Sequence, residues 1–209
     1  MSAALEQDVP SPVDLRKPSD AKQWEQEALQ KRPWRTEFFE QFAQEIRPSD
    51  LHSIHVLELG SGPGFLALHI LNALPKLNYT LLDFSPAMHT LAQSRLQNFA
   101  SQTVFVERNF RQPDWIEGLG KFDFVLTNQA VHELRHKRHA VAFHRDVKQL
   151  LKPNGTYLVC DHFVGEDGMK NDQLYMTIEE QRNALIAAGF KVEQRLKKGG
   201  LVLHHAVLS

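Results

Sequence analysis

The chain has 209 residues, of which 42% are hydrophobic and 23% are charged, a composition that is ordinary for a globular protein. Its formal net charge of −1 excludes the strongly basic surface that is typical of nucleic-acid-binding domains. The single cysteine, Cys160, excludes an internal disulfide, and we find neither a signal peptide nor a membrane span, so we expect one cytoplasmic domain over residues 1–209.

The first 50 residues divide into an arm and two predicted helices. Prolines among polar residues predict an irregular arm over residues 1–20, and the helices occupy residues 21–50. An apolar residue recurs at every fourth position of the second helix, namely Trp34, Phe38, Phe42 and Ile46. One interpretation is that this face packs against a sheet. The other is that the helices cap a pocket, with Trp24 and Trp34 in its lid.

Residues 55–65 predict a buried strand that ends in a glycine-rich turn. Glu58 lies two residues before Gly60, Gly62 and Gly64 follow at alternate positions, and a helix-forming segment comes next. Glycines lack the Cβ atom and allow positive φ, and a helix start presents N–H groups without partners. A ligand can therefore approach bare backbone at this turn.

A second predicted strand, residues 78–84, carries a carboxylate near its end, Asp83. Ser85 and Pro86 suit the N-cap and the first position of the following helix. A fixed carboxylate can accept hydrogen bonds from the two hydroxyls of a ribose, and it is expected about 20 residues beyond the glycine turn. Asp83 has that spacing.

Further strand and turn signals continue to the end of the chain. Strands are predicted over residues 103–107, 122–128 and 156–161, and residues 190–208 predict a terminal hairpin. The segment between the last two of these features contains Thr177 and Glu180, which form a capping-box pattern at the start of a helix.

The glycine turn resembles motif I of class I S-adenosylmethionine (SAM)-dependent methyltransferases, E/D-x-G-x-G-x-G, at every position. The segment 130–134 resembles the exit from motif IV, and 151–155 resembles the turn before strand five of that family. The resemblance covers about residues 54–208. It implies an α/β fold with a Rossmann-like, doubly wound, seven-stranded sheet in the order 3-2-1-4-5-7-6, an antiparallel last strand, and a SAM-binding core over residues 51–209.

The resemblance further implies SAM as the cofactor and S-adenosylhomocysteine as its product. The residues expected to hold the cofactor are Glu58, Gly60, Ser61, Gly62, Gly64, Asp83, Phe84, Met88, Asn109, Phe110, Asn128 and Gln129. Asn109 departs from the family pattern, because an acidic residue commonly reaches the adenine amino group from this position. Its amide oxygen still offers an acceptor.

The acceptor side is expected around the ends of strands four and five. His132 is the first candidate for contacting the acceptor, and His132, Asp161 and His162 are candidates for a catalytic base if the acceptor must lose a proton. Tyr175 is a candidate pocket residue in a polar flap, residues 164–176. We expect a small-molecule acceptor methylated at O or N, less so at C or S, with no nucleic-acid or membrane partner.

Four alternatives compete with parts of this interpretation. Two alternatives for the whole chain are a SAM-binding protein without turnover and a nicotinamide-dependent oxidoreductase, although Phe65 replaces the third glycine of G-x-G-x-x-G. Residues 132–136 match H-E-x-x-H, but no third zinc ligand is identifiable, so no metal is expected. The basic helix at 137–151 is either a solvated face or a docking surface.

Overall fold

The computed structural model describes residues 7–46 and 54–209, so the first six residues of the predicted arm and the segment 47–53 lie outside the described residues. The helices are α1 (Pro18–Lys31), α2 (Arg35–Glu45), α3 (Phe65–Ala73), α4 (Pro86–Arg95), α5 (Ala140–Gln149) and α6 (Ile178–Ala187). The strands are β1 (His55–Leu59), β2 (Asn78–Asp83), β3 (Thr103–Glu107), β4 (Phe122–Asn128), β5 (Leu151–His162), β6 (Phe190–Lys198) and β7 (Leu201–Leu208). None of the helices in these ranges is long and apolar enough to cross a membrane.

The seven strands form one sheet in the order β3-β2-β1-β4-β5-β7-β6. The strands from β3 to β5 pair in parallel, whereas β7 is antiparallel to both of its neighbours. Gly199 and Gly200, with φ of +54° and +78°, make the tight turn that joins β6 to β7. Such a short connection can join only antiparallel strands. The predicted fold, strand order and antiparallel last strand are confirmed.

An apolar cluster covers each face of the sheet, as a doubly wound sheet requires. On one face, Phe38, Phe42 and Ile46 of the second helical segment are fully buried against β1 and α3. On the other face, Phe143 and Tyr157 belong to the cluster that α5 and α6 cover. The periodic apolar face of α2 therefore packs in the core, which was the first of its two interpretations.

The predicted helix caps are confirmed, while several predicted helix boundaries differ from those in the structure. Ser85 caps α4 by accepting from the Met88 N–H (3.1 Å), and Thr177 and Glu180 form the full capping box of α6. Helix α1 begins at Pro18, whose ring presets a helical φ, and not at residue 21. The arm among the described residues is therefore 7–17.

The predicted basic helix at 137–151 is shorter than expected. It begins as a 3-10 turn at Lys137–His139 and becomes α-helical only from Ala140. One of its basic residues, His144, is 1% exposed and lies with Nδ1 3.2 Å from the Tyr157 hydroxyl. Burial lowers the pKa of His144 to about 3, so this residue does not belong to a solvated cationic face.

The arm is fastened to the loop that follows β4. The Val9 N–H donates to the Arg135 carbonyl (2.8 Å), and the Arg135 guanidinium donates to the carbonyls of Val9 (2.9 Å) and Pro10 (2.6 Å). Farther along, the Ser85 hydroxyl donates to the Leu15 carbonyl (2.5 Å). These bonds hold the arm along the carboxyl-end rim of the sheet, between β4 and α4.

Candidate functional site

A cleft with an accessible volume of about 250 Å³ opens at the carboxyl ends of β1, β2, β4 and β5. This is the edge where doubly wound sheets bind ligands. Twelve of the residues singled out in the sequence line it: Glu58, Gly60, Ser61, Gly62, Asp83, Phe84, Met88, Phe110, Asn128, Gln129, His132 and His162. The arm and the first two helices close the opposite wall with Leu15, Trp24, Arg32 and Arg35.

The glycine turn after β1 forms the floor of the cleft with its backbone. The N–H groups of Gly60 and Ser61 both donate to the Leu82 carbonyl, at 2.8 and 3.1 Å, so β2 holds the turn in place. Gly60 has φ of +68°, and a Cβ there would lie 2.5 Å from the Cβ of Ala130. Gly62 has φ of +53° but faces open space within 4 Å. The first glycine is required by packing, and the second leaves room for a ligand.

Asp83 is fixed at the end of β2 by two backbone donors. The Gly62 N–H reaches Oδ2 at 2.8 Å, and the Ser85 N–H reaches Oδ1 at 2.9 Å. Burial raises the pKa of Asp83, and these N–H groups oppose that rise because they stabilise the carboxylate. The carboxylate is therefore held rigidly while its remaining lone pairs can accept from a ligand in the cleft.

Glu58 lies beside Asp83 and is 2% exposed. Its Oε2 accepts a hydrogen bond from the Tyr79 hydroxyl at 2.8 Å. Burial raises the pKa of Glu58 to about 8, the Tyr79 bond lowers it, and the nearby Asp83 raises it further. Glu58 is therefore mainly neutral at pH 7, whereas the two N–H donors on Asp83 favour its charged form.

Several polar atoms in the wall of the cleft are buried without a hydrogen-bond partner among the described residues. They are Ser61 Oγ, Asn128 Oδ1, Gln129 Nε2 and Arg35 Nε. Buried polar atoms are nearly always satisfied in folded proteins. Their convergence on one cleft therefore indicates a polar ligand with both donors and acceptors.

The candidate bases meet at the rim of the cleft. The Asp161 carboxylate receives the His132 backbone N–H at Oδ2 (2.8 Å) and lies 2.7 Å from His132 Nδ1 through Oδ1. Its Oδ1 also receives the His162 backbone N–H at 2.7 Å. Asp161 thus sits behind His132 and orients its ring, and it does not itself line the cleft.

The two histidines carry opposite protonation preferences. Burial lowers the pKa of His132, but the Asp161 and Glu133 carboxylates outweigh it and raise the pKa to about 10. Burial lowers the pKa of His162 to about 3, with only partial compensation by Asp161. His132 is therefore mainly protonated at pH 7 and binds a proton more tightly than His162, which is a neutral wall residue. Tyr175 completes this corner, with its ring centroid 5.3 Å from that of His132.

The sequence interpretation missed Arg32 and Arg35, which come from the junction of α1 and α2. Arg35 is 3% exposed, and its Nη2 donates to Gln129 Oε1 at 2.8 Å. Its guanidinium carbon lies 5.6 Å from the Trp24 ring centroid. The sequence did contain one indication, because Arg35 lies on the same helical stripe as Phe38 and Phe42. A residue on that apolar stripe is expected to be buried and not solvated.

Three residues that were expected near the cofactor or in the lid do not line the cleft. Gly64 caps α3 with φ of +78°, and a Cβ there would lie 3.2 Å from the Cβ of Ala92. Asn109 faces a neighbouring groove, and its Oδ1 accepts from the Arg111 N–H (2.9 Å). Trp34 packs over the β6–β7 turn, where a Cβ on Gly199 would lie 2.3 Å from the indole nitrogen.

The H-E-x-x-H segment does not form one helix. Arg135 adopts φ of +66° and ends a 3-10 turn, Val131–Leu134, before the second histidine. The two histidines therefore do not share a helical face. Across residues 7–46 and 54–209, no three His, Cys, Asp or Glu side chains are grouped so that they could hold a metal ion.

Comparison with known proteins gives a consistent result. A family model described as "Methyltransferase domain" matches residues 57–157, from β1 to β5. A segment of the non-reducing polyketide synthase prhL of Penicillium brasilianum is 29% identical over 110 residues, which cover 49% of this chain and 4% of that protein. The chain thus spans only a small part of the length of this curated relative.

Two solved structures match over nearly the whole of both chains. DesVI of Streptomyces venezuelae has a TM-score of 0.71 and 17% identity, covering 90% of this chain and 98% of that one. The DhpI–SAH complex has a TM-score of 0.69 and 17% identity, covering 93% and 96%. At 17% identity these two structures show only that the fold is shared. The match to the family model is independent evidence from the sequence. The matched segment and the shared fold are consistent with the class I SAM-dependent methyltransferases.

Proposed function

We propose that this chain binds SAM in the cleft and methylates a small molecule at an atom that must lose a proton, an oxygen in the first place. The observation that carries the proposal is the Asp161–His132 pair at the rim of the cleft, with Nδ1 and Oδ1 2.7 Å apart. A nitrogen acceptor with an available lone pair has no need of such a base.

The residues of the cleft fit the cofactor. Asp83 offers two carboxylate oxygens to the ribose hydroxyls, and Phe84, Met88 and Phe110 offer apolar surface to the adenine. The buried polar atoms without partners suit the methionyl carboxylate and ammonium groups, with Arg35 bonded to Gln129 in the loop after β4. SAM, when bound, supplies a methyl group made electrophilic by the sulfonium.

His132 acts as the base in its neutral form and through Nε2, because Nδ1 faces Asp161, and Nε2 lies 3.4 Å from Glu133 Oε1. The Asp161 carboxylate fixes the ring and the tautomer, and it stabilises the imidazolium that forms when Nε2 takes the acceptor proton. Proton removal of this kind contributes typically about 10² to 10⁴ in rate. Asp161 is thus a positioning residue, and His132 is the residue proposed to touch the acceptor.

The cap over the cleft excludes water and positions the acceptor. We propose that the described arm, α1 and α2 act as this cap on the SAM-binding core within one domain. Trp24 and Leu15 line the cleft from the cap side, and Tyr175 and Met169 line it from the segment after β5. Correct placement of two reactants can supply roughly 7–11 kcal/mol of a barrier, so such a cap is functionally valuable.

A carbon acceptor is the second candidate. The curated relative is named a polyketide synthase, and a carbon atom next to a carbonyl group also has to lose a proton before it can attack. The same base would serve both acceptors, so the identity of the product decides between them.

Calorimetric titration with S-adenosylhomocysteine, with NAD as the control ligand, tests the cofactor. We expect saturable one-site binding of the homocysteine derivative alone. Incubation with methyl-labelled SAM and mixtures of hydroxyl, carbon-acid and amine acceptors then tests turnover. Binding of NAD instead would support the oxidoreductase alternative, and cofactor binding without any labelled product would support a SAM-binding protein without turnover.

A further inference from the structure

Two guanidinium groups face the cleft without a carboxylate partner. Within residues 7–46 and 54–209, the Arg32 side chain makes no hydrogen bond or ion pair, and Arg35 bonds only the amide oxygen of Gln129. Arg35 is 3% exposed and keeps a buried Nε without a partner. Charged groups that are removed from water are normally paired, so this wall has a deficit of negative charge.

The acids of the cleft are already engaged. Asp83 receives the N–H groups of Gly62 and Ser85, and Glu133 lies within 3.4 Å of His132 and 3.3 Å of Arg135. Glu58 bonds Tyr79 and is mainly neutral at pH 7. None of these three carboxyl groups pairs with the partly exposed Arg32 or with the buried Arg35, so both guanidiniums are available to anionic groups of ligands.

The proposed cofactor supplies only one anion, its methionyl carboxylate. Arg35 suits that group because it is tied to Gln129 in the loop after β4, where the methionyl end is expected. Both guanidiniums act on His162, but only Arg32 also acts on Tyr175, which lines the cleft beside it. His162 and Tyr175 flank His132, the proposed base. Arg32 is therefore left for the second ligand.

We propose that the methyl acceptor carries a carboxylate group and that Arg32 binds it on the acceptor side of the cleft. This inference rests on the proposed function, because it assigns the acceptor of that same site. The guanidinium matches a carboxylate in shape and can bind both of its oxygens at once. Such a contact makes Arg32 a specificity-determining residue, since a neutral analogue of the acceptor would leave it without a partner.

The test compares carboxylates with their amides as probes of the protein saturated with S-adenosylhomocysteine. Benzoate, phenylacetate and 4-hydroxybenzoate, each against the corresponding amide, are titrated by ligand-observed NMR. We expect at least one carboxylate to bind saturably and at least tenfold more tightly than its amide, as a charge-assisted bond requires. Equal affinity for the acid and amide of every pair, or no saturable carboxylate, would overturn the proposal.

The variants Arg32→Gln and Arg35→Gln separate the two guanidiniums. Arg32→Gln should weaken carboxylate binding at least tenfold and leave the affinity for S-adenosylhomocysteine within about twofold, whereas Arg35→Gln should weaken the cofactor product. Lys31→Gln is the matched control, because it removes a charge from the neighbouring position, where the side chain is 66% exposed and pairs with Glu27.

Separate measurements of cofactor binding and carboxylate binding distinguish a failure of this inference from a failure of the proposed function on which it rests. Failure of the wild-type protein to bind S-adenosylhomocysteine would refute the proposed function. Normal cofactor binding together with unchanged carboxylate affinity in Arg32→Gln would refute the carboxylate acceptor alone. Loss of cofactor binding in Arg32→Gln, with carboxylate binding intact, would assign Arg32 to the cofactor and also overturn the inference.

Discussion

The two walls of the cleft are built in different ways. The wall proposed for the nucleoside part of the cofactor comes mainly from two short segments, residues 58–63 and 83–88, and much of it is backbone whose position β1 and β2 fix. The wall proposed for the methionyl end and the acceptor consists of side chains from the α1–α2 junction, the loop after β4, the end of β5 and the segment around Tyr175. A backbone site needs a local pattern, whereas a side-chain site exists only after distant segments have packed.

Of the changes proposed, the loss of His132 should reduce turnover the most, while it should change cofactor affinity little. We expect His132→Ala to reduce kcat by about 10² to 10⁴, because the proposed proton acceptor is removed. The affinity for S-adenosylhomocysteine should stay within about twofold by calorimetry. His55→Ala, at an exposed position at the start of β1, is the control. An unchanged kcat would indicate an acceptor that needs no base.

The pH profile should expose the Asp161–His132 pair. A base acts only when neutral, so the wild-type rate should rise with pH towards the His132 pKa of about 10. In Asp161→Asn the raising charge is lost, so the rising limb should move to lower pH while the plateau falls, because the imidazole becomes a weaker base. Rates measured from about pH 6 to 10.5 test this. A limb that stays in place would show that His132 does not act as the base.

Replacement of Asp83 should affect the cofactor wall alone. Asp83→Asn removes the charged acceptor proposed for the ribose, and we expect roughly 10- to 100-fold weaker binding of S-adenosylhomocysteine, the equivalent of about 1.5–3 kcal/mol. At saturating SAM, kcat should fall much less than in His132→Ala. Thermal unfolding of both variants checks that the difference does not arise from loss of fold. Unaltered binding would exclude Asp83 as the ribose ligand.

Alanine substitutions at two glycines of the same turn should show which glycine is required for packing and which one only leaves room for a ligand. Gly60→Ala combines φ of +68° with a Cβ 2.5 Å from that of Ala130, so we expect about 1–3 kcal/mol less stability. Gly62→Ala has φ of +53° but no neighbour within 4 Å, so we expect a loss of only about 1 kcal/mol. Urea unfolding measures both. A larger loss at Gly62 would contradict the packing argument.

The same contrast explains how much the sequence predicts. The cap at Ser85 and the cleft position of Asp83 depend on local patterns, the strand order was implied by the family resemblance, and the structure has all three as expected. Arg32 and Arg35 enter the cleft only because α1 and α2 fold back over the sheet, and the helical stripe of Phe38 and Phe42 indicates that Arg35 is buried but not what it faces. Asn109 matches the family position, yet its own Asx turn to Arg111 uses the oxygen that was expected to serve adenine.

The sequence interpretation placed two side chains wrongly, those of His144 and Trp34. His144 follows Phe143 in a basic segment and was grouped with the solvated residues, although its ring packs on Tyr157 in the core. Trp34 has the periodicity of the α2 stripe but precedes the helix and packs on the β6–β7 turn. Side-chain direction at a helix end depends on the terminal turn, which periodicity does not describe.

The bonds between the arm and Arg135 have a consequence for how the protein forms. Pro10 and Arg135 are 125 positions apart, and contacts across such a separation form late, because a long loop must close first. On the ribosome, the arm emerges well before its partner loop and has to wait until β4 has been made. The arm is therefore synthesised early but is among the last segments to reach its final position. Until then, the cleft lacks the part of its wall that the arm provides.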